Sequence, residues 1–111
     1  MALDNQNFTM YQVNHKRLVF TVEDAYSLAG ATIKWACSKH SALHPAVMEK
    51  GMENITIEGN TFTVYLVPAD TANLEPGVYY HEAKIKDAAG NEVTAATGMT
   101  MVLPVLVKGV I

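Results

Sequence analysis

Apolar and polar residues alternate with a period of two through most of the chain. In K-R-L-V-F-T-V (16–22), Leu18, Phe20 and Val22 share one face, and Arg17, Val19 and Thr21 the other. A-T-I-K-W-A-C-S (31–38) sets Ile33, Trp35 and Cys37 against Thr32, Lys34, Ala36 and Ser38. In N-I-T-I-E-G-N-T-F-T-V-Y-L-V (54–67), Ile55 and Ile57 precede a Gly59-Asn60 turn, and Phe62, Val64 and Leu66 follow it. That is a hairpin pattern. Y-Y-H-E-A-K-I-K (79–86) leads into a second hairpin loop at Asp87–Asn91, and G-M-T-M-V-L-P-V-L-V (98–107) puts Met99, Met101 and Leu103 on one side.

β-branched and aromatic residues concentrate in these segments, as strands favour. Only S-L-A-G (27–30), S-A-L-H-P-A-V (41–47) and A-D-T-A-N-L (69–74) suit a helical turn, and each is too short for an independent helix. Roughly seven to nine short strands, with turn signals about every 8–12 residues, predict an all-β, two-sheet antiparallel sandwich.

Within that frame L-E-P-G-V-Y-Y (74–80) reads as a corner. Pro76 supplies the fixed φ of a turn and Gly77 the positive φ after it. Tyr79 then points inward with Ala83 and Ile85, while Val78, Tyr80, Glu82 and Lys84 point outward. An inward tyrosine there fits a tyrosine corner, its hydroxyl bonding backbone between Asp70 and Leu74. His81 shares the Tyr79 face and reads as a partly buried histidine bonded near the rim. A general-base role beside Glu82 is disfavoured, because neighbouring strand residues face opposite ways. The structural core is expected at Trp35, Phe62, Leu66, Tyr79 and Ile85.

The chain has 111 residues, 50% of them apolar and 17% charged, enough for one domain over residues 1–111. A net charge of -3 with scattered signs leaves no basic stripe for phosphates, so nucleic acid is not an expected partner. The start, M-A-L-D-N-Q-N-F-T-M, lacks a signal-peptide pattern, and no window is long and apolar enough to span a membrane. Those features predict a soluble product of the cytoplasm. Cys37 is alone, which excludes an internal disulfide, and it falls on an apolar strand face that suits an inert thiol.

Catalytic patterns are thin. His40 and His44 have ligand spacing for a helix, but Pro45 follows at once and no helix presents them, so a solvated loop is the better reading. No G-x-S-x-G elbow or phosphate-binding glycine loop occurs, and Glu23-Asp24 reads as a solvated turn. The expectation is no enzyme activity, no cofactor and no metal. Outward apolar residues remain: Tyr65 and Val67 on one strand, Val78 and Tyr80 on another. If they gather on one face they make a protein-contact patch. V-L-P-V-L-V-K-G-V-I (102–111) reads as a terminal edge strand that needs cover, which makes Val105, Leu106 and Val107 contact candidates. Residues 104–111 are thus expected to be an exchanged or partner-covered tail. The competing reading is a carbohydrate- or host-surface-binding platform built from Tyr11, Tyr26, Tyr65 and Tyr80.

L-A-G-A-T-I-K-W-A-C-S-K (28–39), the run 55–91 and T-G-M-T-M-V (97–102) together resemble immunoglobulin-like domains of tailed-phage and prophage structural proteins. The resemblance is to the N-terminal domain of baseplate upper proteins, and it runs from about Phe8 to Leu103. P-A-D-T-A-N-L-E-P-G-V-Y-Y-H-E-A-K-I-K-D-A-A-G-N (68–91) is its most specific part. The resemblance implies a tail- or baseplate-associated virion component, assembled in the bacterial host cytoplasm. It implies other phage structural proteins as partners, a homo-oligomeric arrangement, and no catalytic residues.

Overall fold

The computed structural model describes residues 3–23 and 27–107. Eight strands follow in order: β1 (Phe8–Tyr11), β2 (Lys16–Thr21), β3 (Thr32–Lys39), β4 (Ala46–Lys50), β5 (Ile55–Glu58), β6 (Thr61–Leu66), β7 (Gly77–Lys86) and β8 (Glu92–Leu103). One short helix, α1 (Pro68–Thr71), sits between β6 and β7, and a single 3-10 turn at Met52–Asn54 precedes β5.

Two sheets face each other. One has the order β1-β8-β7-β3-β4 and the other β2-β6-β5. These are the G-F-C-C′ and B-E-D orders of the immunoglobulin fold, with β1 added beside the last strand. The fold is all-β, as the alternation predicts. One pairing departs from a purely antiparallel sandwich: β1 runs parallel to β8, from Phe8 opposite Thr100 to Tyr11 opposite Leu103. The first connection causes this. It carries the chain across to the other sheet, so β1 and β2 are not hairpin partners.

The period-two faces become the core. Leu18, Phe20, Phe62, Val64 and Leu66 point in from the smaller sheet, and Ile33, Trp35, Tyr79, Ala83 and Ile85 from the larger. Trp35, Phe62, Leu66, Tyr79 and Ile85 are all buried, and each contributes about 1.5–3 kcal/mol by leaving water. The Glu58–Thr61 hairpin closes on Gly59-Asn60, with Gly59 at φ 62°.

The corner at Tyr79 is present with a shifted acceptor. Gly77 takes φ 149° after Pro76, and the Tyr79 hydroxyl donates to the carbonyl of Glu75 at 2.6 Å. Two of the expected backbone acceptors upstream are engaged elsewhere: the Leu74 carbonyl receives Gln12 Nε2 at 2.6 Å, and the Thr71 carbonyl receives the Leu74 amide at 3.0 Å. In antibody domains a cysteine sits two residues beyond this tyrosine, bridged across the sheets beside a tryptophan. Here that position is His81, whose ring lies 5.9 Å from the Trp35 ring and 6.2 Å from the Phe20 ring. An aromatic cluster spans the sheets where a disulfide would.

The segment 41–47 makes one tight turn, with the His44 amide on the Ser41 carbonyl at 3.2 Å, before β4 begins. Two expectations are corrected by the fold. His81 is at the centre of the core, with no exposed surface, rather than near the rim. Residues 102–107 are not an edge strand: β8 ends at Leu103 before Pro104, and β1 covers its free side. Residues 104–107 continue without strand structure, and 108–111 lie outside the described residues.

Candidate protein-contact face

Strand phase decides which side chains reach the outside, and register decides which of them meet. On the outer face of the larger sheet, Val78 of β7 lies opposite Met101 of β8, and Thr9 of β1 flanks Met101 on its other side. One step along, Met99 and Ser38 flank Tyr80. At the end of the sheet Tyr11 lies opposite Leu103. Val78, Met101 and Tyr11 are exposed, while Tyr80, Met99 and Leu103 are half-buried. Beyond Leu103 the chain carries Leu106, 96% exposed, and Val107, 67% exposed, beside a groove that Tyr11 and Val13 also line. These residues form one apolar half-face.

The other half of this face is charged. Lys34 pairs with Glu49 at 2.7 Å and Lys84 with Glu92 at 3.2 Å. A shallow pocket of about 250 Å³ lies at the boundary, lined by Ser38, His44, Tyr80 and Glu82 among others. Desolvation raises the Tyr80 hydroxyl above its usual pKa, and the nearby Glu82 carboxylate adds to the rise. Tyr80 is therefore a neutral donor at ordinary pH, apolar on its ring and polar at its tip.

Tyr65 is elsewhere. It projects from β6 on the outer face of the smaller sheet, opposite Arg17. The Arg17 guanidinium lies 5.6 Å from its ring centroid and its hydroxyl is 3.2 Å from Thr56 Oγ1. The expected grouping of Tyr65 with Tyr80 therefore fails, because two outward strand faces can belong to opposite sides of a sandwich. Tyr80 instead joins Met99, Met101 and Val78, with the 105–107 segment at the far end. Tyr11 shares the face of Tyr80, and Tyr26 lies outside the described residues. No single platform collects Tyr11, Tyr65 and Tyr80.

The remaining candidates stay separate. His40 and His44 lie in the loop between β3 and β4 with rings 6.0 Å apart, and His44 Nδ1 is 3.2 Å from the Ser41 hydroxyl. Among the described residues no three His, Cys, Asp or Glu side chains gather as a metal site. Cys37 is buried, and desolvation pushes its thiol up to about 12, so it carries negligible thiolate at neutral pH. Among the described residues no helix is long and apolar enough to cross a membrane.

Sequence reasoning missed Thr9 and assigned Tyr11 only to the carbohydrate platform, because F-T-M-Y (8–11) is a four-residue strand between polar segments and carries almost no periodic signal. Its place beside β8 comes from long-range pairing.

No protein-family model matches this chain, and no curated protein sequence does. Solved structures share its shape. A proposed glycoside hydrolase from Bacteroides vulgatus superposes with a TM-score of 0.53 at 12% identity, over 89% of this chain and 16% of that one. The soluble domain of PmoD from a Methylocystis species superposes with a TM-score of 0.50 at 13% identity, over 85% of this chain and 76% of that one. At these identities the likeness is one of fold alone. The chain spans 16% of the hydrolase, so it resembles one sandwich within a much longer protein.

Proposed function

We propose that this chain is a non-enzymatic structural or assembly component of a tailed-phage or prophage virion, associated with the tail or baseplate and working through protein–protein contacts. The observation that carries the contact reading is the apolar half-face of Val78, Tyr80, Met99 and Met101, continued by Leu106 and Val107. A row of methionine, valine and tyrosine facing water is unfavourable to leave bare and has the composition of an interface centre. The virion assignment rests on the resemblance carried by residues 68–91. In this reading the partners are other tail proteins and further copies of the chain, because virion parts assemble symmetrically. The chain is made in the host cytoplasm and ends in the particle.

A carbohydrate- or host-surface-binding module draws less support, since the tyrosines it needs are divided between two faces. Particles purified from the producing host on a density gradient, then probed with an antibody to the chain, test the proposal. Signal co-migrating with intact tails is the expected result. Signal confined to the particle-free soluble fraction overturns it.

A further inference from the structure

The centre of the sandwich holds one imidazole, and its bonding fixes its protonation. The Trp35 indole Nε1–H lies 3.1 Å from His81 Nδ1, and the Gln6 carbonyl lies 2.6 Å from His81 Nε2. An indole N–H only donates and a carbonyl only accepts. His81 is therefore neutral, with its proton on Nε2. A second proton has to go on Nδ1, head-on to the Trp35 N–H, and it places a charge where no solvent reaches.

Among the described residues packed against the ring, none carries a compensating charge. Phe8 of β1 meets the ring edge-on at 4.9 Å, Phe20 of β2 is 6.2 Å away, and Cys37 of β3 and Gly98 of β8 are its register neighbours. Cys37 is a neutral thiol, and the Tyr79 hydroxyl of the same strand is bonded away to Glu75. Lys16 lies against Phe8, its Nζ 5.8 Å from that ring. Burial lowers the His81 pKa, with the Gln6 bond pulling the other way.

The group that closes the Nε2 side of the ring is a thin segment. Residues 3–8 lie along β8 through the Leu3 amide on the Ala95 carbonyl, the Thr97 amide on the Leu3 carbonyl and the Gln6 amide on the Thr97 carbonyl. The Asn7 side chain accepts the Met99 amide at 2.8 Å. Gly98 makes the close approach possible, because a Cβ there would collide with the Gln6 backbone. We propose that residues 3–8 are a detachable strand gated by His81: the buried neutral ring suits their docked place on β8, whereas a buried imidazolium, though it keeps its Nε2–H bond to Gln6, favours the form in which they lift off and water reaches the charge. Lifting this segment opens water to the imidazolium while leaving the paired core strands in place. The uncovered side of β8 is then a free strand edge, a surface that accepts an extended segment of another chain.

The sign follows from the lowered pKa. The docked form keeps its full His81 contribution above roughly pH 6.5 and loses it as pH falls below that toward the folded-state value. Amide hydrogen-exchange protection factors at about pH 7.5 and about pH 5 test this in the wild-type chain. The prediction is a loss of about ten-fold or more at Gln6 and Thr97 on acidification, with the β3–β7 amides unchanged. Trp35, the sole tryptophan, should change its emission over the same pH range. Gly98→Ala should expose Gln6 at both pH values by steric means, and His81→Gln, which cannot titrate, should remove the pH dependence. Equal wild-type protection at both pH values overturns the proposal, and so does loss spread equally over all strands. Should His81→Gln not fold, the wild-type and Gly98→Ala measurements decide.

Discussion

The two outer faces of the sandwich are built from the same alternation and differ in what their outward positions hold. On the smaller sheet Thr21, Thr56, Thr61 and Thr63 surround Arg17 and Tyr65, and the polar atoms find each other: Thr21 with Thr61 at 3.0 Å, Tyr65 with Thr56 at 3.2 Å. Val19 is the one large apolar side chain of β2 exposed there. On the larger sheet Val78, Tyr80, Met99 and Met101 adjoin one another, and thioethers and methyl groups have no such partners to find. A threonine-rich face is satisfied by itself and by water. In the proposed assembly the apolar one is covered by another protein.

Substitutions on each face can break this contrast, and the largest effect is expected at Met101. Met101→Asp should weaken assembly with partners by about ten-fold or more, equivalent to about 1.4 kcal/mol, because it buries a charge in the contact. The same change should leave the free chain's unfolding energy within about 0.5 kcal/mol, as measured by urea titration. Tyr79→Phe comes next. Removing the hydroxyl that reaches Glu75 should cost on the order of 1 kcal/mol of stability, and an unchanged melting temperature would refute the corner that sets the phase of Val78 and Tyr80. On the opposite face, Tyr65→Ala should cost about 0.5–1 kcal/mol through the lost Arg17 contact while leaving assembly intact. If Tyr65→Ala impairs assembly as much as Met101→Asp does, the two faces are not distinct in function. The smallest effect belongs to the solvated charges: Glu49→Gln, which removes the exposed Lys34 pair, should change stability by no more than about 0.5 kcal/mol.

Much of the interior was legible because period two is local. Phe62 and Ile85 alternate with polar neighbours, Trp35 and Leu66 share the inward phase of Ile33 and Phe62 on their own strands, and the Pro76-Gly77 turn announces the tyrosine that follows. What stayed hidden depends on distant pairing. Phase separates inward from outward at Tyr65 and Tyr80 but does not encode which sheet each strand joins. The first half of β8 is obscured by a register shift opposite Ala83–Lys84 that turns adjacent Ala95 and Ala96 both inward, which breaks the alternation. The central place of His81 depends on Gln6, 75 residues away, so no local window around Y-Y-H-E reveals it.

Hydroxyl-radical footprinting of the chain, free and in assembled particles, tests the contact face most directly, because methionine and tyrosine are reactive reporters on both sides of the sandwich. Assembly should protect Met99, Met101 and Tyr80 strongly and leave Tyr65 as reactive as in the free chain. Protection of Tyr65 with Met101 still fully reactive would contradict the account.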